Sequence, residues 1–374
     1  MADLHLGKTL NGFPLLEDQR FLLRQILDLA REKRPDALLL AGDVYDRSSP
    51  GAEAVQALDD FLTALSREGI SVFLISGNHD SPERLGFGGR LLEESGVFVH
   101  SRFEGGVKTL RLNDQHGPVF FHLLPYLHPA LARLFYPDDA IESHEDAVRA
   151  AFSRLKLDEG ARNVFLGHQF FAGGAEEPRR ADSETAYVGG LDRVSAEPLR
   201  AFDYAALGHL HGPQALLNGE RVRYAGSPLK YSASEAGQKK SLPMVDLGKK
   251  GDVRLELLPL TPLRELRALR GPLADLLATA LAQGPSEDYI HATLTDQGAV
   301  YDALSRLRQA YPNLLELRFA LREAPGAETE GEPPAEELGV EELFGRFYLA
   351  QRGETLSETQ MALVRGYLRK EGQP

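Results

Sequence analysis

Nine side chains in this chain of 374 residues carry the means for one kind of chemistry. They sit in five short motifs: Asp3-Leu4-His5, Gly42-Asp43-Val44-Tyr45-Asp46, Gly77-Asn78-His79-Asp80, Gly167-His168 and Gly208-His209-Leu210-His211. Carboxylates, imidazoles and one carboxamide suit hard-to-borderline divalent cations such as manganese. With no cysteine in the chain, thiolate metal sites and disulfides are excluded. A set of this kind predicts a two-metal centre that hydrolyses phosphoesters, with ions ~3.5–4 Å apart clamping the phosphate for in-line attack.

Each side chain has an expected part. Residues i and i+2 of an extended segment point the same way, so Asp3 and His5 are expected to grip one ion together. His209 and His211 share that spacing, although the turn between them could aim them at different ions. Asp43, just past an apolar run, is placed to bridge two ions. Asn78 offers a neutral oxygen. His79, crowded against Asn78 on a tight turn, is better suited to the leaving oxygen than to a metal. Asp46 is expected to hydrogen-bond His79, because a carboxylate partner favours the imidazolium that a proton donor needs. Asp80 reads as a turn cap. His100, His116, His122, His128, His144 and His291 lack such context and read as surface or satisfied core residues. Asp-x-His alone says little. Gly-Asn-His-Asp says much more, because four functional residue types in one turn seldom arise for packing.

Four of the motifs follow apolar runs that read as strands: Leu38 to Ala41, Val72 to Ile75, Val164 to Leu166 and Tyr204 to Leu207. Open α/β sheets place functional groups past the carboxyl ends of their strands. Helical periodicity appears in Leu23, Ile26, Leu27 and Ala30, ended by Pro35, and in Val55, Leu58, Leu62 and Leu65. Further strand-like runs follow between Val107 and Leu258. The expected fold for residues 1–260 is α/β, a two-sheet sandwich flanked by helices.

The remainder divides in three. Residues 261–322 alternate helix and strand patterns and read as a small α+β domain. Residues 323–338, rich in Glu, Pro, Gly and Ala, read as an acidic flexible linker. Residues 339–374 hold two amphipathic helices. Val340, Leu343, Phe344, Phe347 and Tyr348 stripe the first, and a Ser357/Gln360 capping box opens the second. Such a pair wants a partner groove.

The net charge of −13 argues against a nucleic-acid enzyme at first sight. Residues 323–342 account for much of it, with eight Glu and no Lys or Arg. Two bound divalent ions would add positive charge at the cleft, and Lys8, Arg47, Arg84 and Arg90 lie near the motifs. Local charge, not the total, then governs affinity for DNA. No apolar stretch approaches the ~20 residues that span a bilayer, so a cytoplasmic protein without membrane contact is expected, nucleoid-associated if DNA is its substrate.

The five motifs, in this order, resemble the calcineurin-like metallophosphoesterase superfamily. Ser81-Pro82-Glu83-Arg84-Leu85 and the segment from Tyr224 to Ser232, followed by Glu235 and Lys239-Lys240, are similar to the SbcD-type nucleases within it. The resemblance implies a calcineurin-like two-sheet β-sandwich, a capping domain that contacts DNA, and a C-terminal helix pair that docks on the coiled coil of an SMC-like ATPase, SbcC. It implies Asp3, His5, Asp43 and His211 around one metal and Asp43, Asn78, His168 and His209 around the other, with His79 catalytic. It also implies two manganese ions (magnesium the second choice), homodimerisation, exonuclease action on double-strand ends, endonuclease action on hairpins and single strands, and a place in DNA repair, recombination and replication.

Two other readings compete: a small-molecule phosphodiesterase or nucleotidase with the same centre, and a docking subunit whose centre is impaired. The second arises from the first motif. Only Met1 and Ala2 precede Asp3, where relatives have a strand, so Asp3 and His5 are expected to lack an anchor. The natural chain is accordingly expected to begin upstream of Met1.

Overall fold

The computed structural model describes residues 1–173, 178–184, 192–296, 298, 300–320, 340–352 and 355–371. The chain forms two compact units, Met1–Arg267 and Ala268–Pro374.

In the first unit, three parallel strands, β1 (Ala37–Ala41), β2 (Ser71–Ile75) and β3 (Val97–His100), form one sheet. A six-stranded sheet contains β4 (Lys108–Asp114), β5 (Gly117–Leu124), β6 (Arg162–His168), β7 (Tyr204–Gly208), β8 (Gln214–Ala215) and β9 (Val222–Tyr224), in the order β8-β9-β7-β6-β5-β4. A hairpin, β10 (Ser241–Leu247) with β11 (Val253–Pro259), stands beside them. Phe73, Ile75, Phe121, Leu123 and Leu166 pack in one core cluster drawn from both sheets, which makes the unit a sandwich. Helices α1 (Leu16–Lys33) and α2 (Ala52–Arg67) bury Leu22, Leu23, Ile26, Phe61 and Leu65. Val55, expected on the buried face of α2, is exposed, and Ala54 and Ala57 are buried instead. α1 ends at Arg34 in the left-handed region, one residue before Pro35.

Strand register assembles the motifs. Ala41 pairs with Ile75, so the turns after β1 and β2, which carry Asp43 and Asn78, emerge side by side. Gly208 pairs with His168, so His209 follows directly beside it. Two glycines are required by close approach. A Cβ on Gly77 would collide with the Asp43 carboxylate, and one on Gly208 with the Ala41 carbonyl.

The first motif is anchored, contrary to expectation. Met1 to Leu6 runs along the other edge of β1 and the turn beyond it. Ala41 N–H donates to Met1 O (2.9 Å), Asp3 N–H to Gly42 O (3.1 Å), His5 N–H to Asp43 O (3.0 Å) and Leu6 N–H to Val44 O (2.9 Å). What this segment lacks is a regular extended conformation: Asp3 and His5 have φ of 55° and 44°. They converge through two left-handed residues, not through the alternation of a strand. Behind Met1 lies a cavity of about 600 Å³, walled by β1, α1 and the β10 edge; none of the nine motif side chains lines it.

In the second unit, β12 (Leu266–Gly271), which crosses the unit boundary, β13 (Tyr289–Leu294) and β14 (Leu314–Phe319) form a sheet. α3 (Leu273–Gln283) and α4 (Ala303–Ala310) share a core with it through Leu276, Ile290, Leu294, Leu307 and Leu314. The acidic linker at 323–338 lies outside the described residues. α5 (Val340–Arg352) and α6 (Glu358–Glu371) pair with each other: Arg365 Nε lies 2.8 Å from Glu341, and Gln360 Nε2 donates to the Tyr348 hydroxyl at 3.1 Å. Ser357 and Gln360 form the capping box. Phe344 and Phe347 remain 39% and 60% exposed. The Leu343 side chain lies outside the described residues.

Candidate metal centre

Strand ends from both sheets, together with the Met1–Leu6 segment, deliver the predicted donors to one place. His5 Nε2 and His211 Nε2 lie 3.1 Å apart. Asp3, His5 and His211 have donor atoms within 4.8 Å of one another, all buried. On the other side, Asn78 Oδ1 is 3.1 Å from both His168 Nε2 and His209 Nδ1. Asp43 Oδ2 stands between the two groups, 3.7 Å from His5 Nε2 and 3.4 Å from His168 Nε2. Its Oδ1 accepts the His79 backbone N–H at 2.9 Å.

The electrostatics are those of a centre short of positive charge. Burial, with Asp43 nearby, pushes the Asp3 carboxyl well up, against the pull of His168. Burial alone would raise Asp43 too, but His168 and its hydrogen bond outweigh it and hold that carboxyl well below the usual range. Burial opposes charge on His168, yet Asp43 raises it to about 9. Burial lowers His5 and His211, and it lowers His209 to about 3 with His168 adding to the effect. Asp3 Oδ2 and His5 Nδ1 are buried without a hydrogen-bond partner among the described residues. Orphaned buried donors and acceptors of this kind call for an ion or water, and the oxygen–imidazole set fits divalent cations.

Backbone strain is concentrated here. Asp3, His5, Asp43 and His209 all have positive φ, at 55°, 44°, 47° and 104°. Each costs on the order of 1–3 kcal/mol and persists only where neighbours impose it. The ladder between Met1–Leu6 and Ala41–Val44 does so for the first three. Asp3 Oδ1 accepts the His209 N–H at 3.0 Å for the fourth.

His79 is not aimed as expected. Its Nδ1 lies 3.0 Å from the backbone carbonyl oxygen of Asp46. The Asp46 carboxylate takes Lys8 Nζ at 2.8 Å and lies 3.8 Å from His5 Nδ1. Asp46 therefore touches His79 through main chain, because the turn after Asp43 directs its carbonyl, not its side chain, toward the imidazole. Asp80 accepts the backbone N–H groups of Val44, Tyr45 and Gly77, at 3.1, 2.9 and 2.9 Å, and so ties the second motif to the third. Burial and then Asp43 push its carboxyl up to about 6.

Several residues around the centre carry no motif. Gln19 Nε2 donates to the carbonyls of Leu4 and His5, and its Oε1 accepts the Gly7 N–H. The Tyr231 hydroxyl donates to Leu4 O at 2.6 Å. Glu184 accepts the His211 N–H at 2.6 Å. Gln19 reads in sequence as one more residue of an amphipathic helix, and Ser183 and Glu184 as loop. Of the other histidines, His122 is buried and bonded to Thr109 and Asn163.

A calcineurin-like phosphoesterase family model matches residues 1–213, which include all nine motif side chains. A second model, described as a type 5 capsule protein repressor C-terminal domain, matches residues 262–352. The SbcD subunit of the nuclease SbcCD from Staphylococcus epidermidis is 33% identical over 320 residues, 84% of this chain and 83% of its own. The chain belongs to the SbcD family of calcineurin-like phosphoesterases. The SbcD subunit from Staphylococcus saprophyticus is 32% identical over 96% of this chain and 94% of its own, so the likeness to SbcD proteins runs nearly end to end. Among solved structures, a dimetal phosphatase from Danio rerio is similar to 70% of this chain and 96% of its own at 13% identity and a TM-score of 0.39, too distant to refine that placement. As a member of this family the chain is a metal-dependent phosphoesterase of mixed α/β fold. No described helix is long and apolar enough to cross a membrane.

Proposed function

We propose that this protein is a manganese-dependent DNA nuclease subunit that works with an SbcC-like, SMC-family ATPase in DNA repair and recombination. It would act on double-strand ends as an exonuclease and on hairpins and single strands as an endonuclease. In this reading it is a cytoplasmic homodimer, and residues 339–374 dock the ATPase. The observation that carries the enzymatic part is Asp43 Oδ2, poised between two donor groups. Asp3, His5, Asp43 and His211 would hold one ion, and Asp43, Asn78, His168 and His209 the other. The names of the two relatives, each a nuclease SbcCD subunit, support a nucleic acid as substrate and an SbcC-like protein as partner.

When bound, the ions supply activation of water and neutralisation of the phosphate charge. The chain's own residues do the rest. Asn78 contributes an oxygen without charge, which limits repulsion of the phosphate. Asp43 Oδ1 holds the His79 backbone and so fixes where that ring stands. The Asp46 carbonyl accepts from His79 Nδ1, so in the imidazolium form the second ring proton, on Nε2, is the one that would go to the leaving oxygen.

The test is purified protein with manganese on linear duplex, hairpin and single-stranded DNA, beside bis-p-nitrophenyl phosphate. Cleavage of DNA supports the proposal. Turnover of the small diester without DNA cleavage replaces it with a small-molecule phosphodiesterase. No turnover, with an SbcC-like partner still bound, leaves a docking subunit.

A further inference from the structure

Three of the four polar groups of His211, all but ring Nε2, are held by residues outside the five motifs. Its N–H donates to Glu184 at 2.6 Å. Its carbonyl accepts Lys240 Nζ at 2.8 Å and the Ser227 N–H at 3.1 Å. Its ring Nδ1 lies 2.8 Å from Ser183 Oγ, which lies 2.8 Å from Glu235 Oε1. Glu235 is fully buried. Its Oε1 also accepts the Tyr231 N–H and the Ser232 hydroxyl, and its Oε2 accepts Lys240 Nζ at 2.7 Å. Lys240, itself buried, further reaches Ser227 Oγ at 3.0 Å and Gln238 Oε1 at 2.8 Å.

The donor inventory assigns the protons of Ser183 and of the His211 ring. A carboxylate held by a lysine accepts only, so the Ser183 proton goes to Glu235. Ser183 Oγ is then an acceptor toward His211, so Nδ1 carries the ring proton. Nε2, facing His5, keeps its lone pair. A histidine ligand is commonly set this way, by the bond its other nitrogen makes. A buried Glu–Lys pair is costly unless each partner is fully bonded, and here each has at least three partners.

We propose that Ser183 and Glu235, the latter locked by Lys240, are positioning residues that hold the His211 ring with Nε2 presented to the first metal. This gives a use to the stretch from Ser227 to Lys240, which contains no metal motif. The inference rests on the metal-centre reading above, and its test separates the two.

The full chain and its Ser183→Ala, Ser183→Thr and Glu235→Gln variants are titrated with Mn²⁺ alone, free ion being read by electron paramagnetic resonance. Melting of each metal-free protein is recorded alongside. Ser183→Ala is the principal variant, because loss of one half-buried hydroxyl leaves the packing in place. It should weaken one of two manganese sites by about 10–100-fold, leave the other within about 2-fold, and leave the metal-free melting temperature unchanged. Ser183→Thr keeps the hydroxyl and should restore the affinity. Glu235→Gln should weaken the same site. Two sites of wild-type affinity in Ser183→Ala would overturn the inference. So would equal weakening of both sites with a fall in melting temperature, the mark of a merely structural role. Fewer than two sites in the wild type would overturn the metal-centre reading itself.

Discussion

His79 Nδ1 lies 3.0 Å from the backbone carbonyl oxygen of Asp46, while the Asp46 carboxylate lies 2.8 Å from Lys8 Nζ. The two residues are neighbours, but the carboxylate is not the histidine's partner. Replacing Asp46 therefore leaves the bond that orients His79 in place. We expect Asp46→Asn to slow cleavage by less than about 10-fold, and His79→Ala by ~10²–10⁴-fold. Elemental analysis should find both metals in His79→Ala. Loss of one ion would make His79 a ligand, a part its proximity to His5 and Asp46 would permit.

Asp43→Asn should be the most damaging single change among the metal-binding candidates, because one oxygen serves both donor groups. Occupancy of both ions should fall; full occupancy of either would assign the bridge elsewhere. The substitution also predicts a change in pH dependence. Asp43 raises folded His168 to about 9 from an ordinary value of 6.5. In metal-free protein that pairing stabilises the fold fully below pH 6.5, and the contribution is lost as pH rises through 9. Denaturant melts of metal-free wild type should therefore weaken between those values. Asp43→Asn should flatten that slope.

Much of this centre was legible because apolar runs, small glycines and functional side chains alternate in order. Asp43, Asn78, His168 and His209 sit where strand ends put them, and a strand end can be read from sequence. The arrangement of Asp3 and His5 could not be read that way. Alternation predicts that they point together on an extended segment; they do converge, but through left-handed backbone imposed by hydrogen bonds to a turn forty residues away. Asp46 misled for a related reason, since spacing does not say whether side chain or carbonyl faces a neighbour. Ser183 and Glu184 carry no periodic signal at all. Glu235 and Lys240 were visible only as a resemblance, because a buried ion pair looks like two surface charges until the fold is known.

The helix pair α5 and α6 is expected to dock a partner through its first helix. Phe344 and Phe347, both exposed on the described surface of that pair, are the proposed anchors; aromatic anchors tend to dominate such interfaces. Removal of residues 339–374 should leave cleavage of single-stranded DNA by the isolated protein intact and abolish association with an SbcC-like partner. Phe344→Asp with Phe347→Asp should do the same, read by co-purification. Survival of the complex in the double variant would sink this assignment.

The cavity behind Met1 supplies the last prediction. It is walled on one side by Ala37, Leu38 and Leu39 of β1 and on the other by Leu242 to Leu247 of β10. Those strands pair elsewhere with β2 and β11, and Met1 reaches only the far end of β1. About 600 Å³ between two sheet edges has room for roughly five residues of extended chain. In a polypeptide beginning at Met1, the terminal ammonium is buried there, bonded to Leu39 O at 2.9 Å, and burial lowers it from 8.0 to about 6. The unfolded chain then holds more protons between those values, so stability should rise from pH 6 to 8 and carry a penalty of about 3 kcal/mol below that window. Extending the chain ahead of Met1 by five or six β-branched residues should fill the slot, continue the ladder along β1, raise the melting temperature and remove this pH dependence. Manganese affinity at the Asp3–His5 group should rise with it. Melts of both forms at pH 6 and pH 8 decide the matter: an extension that leaves the pH 6 melting temperature unchanged or lower would show that the slot does not accept a strand.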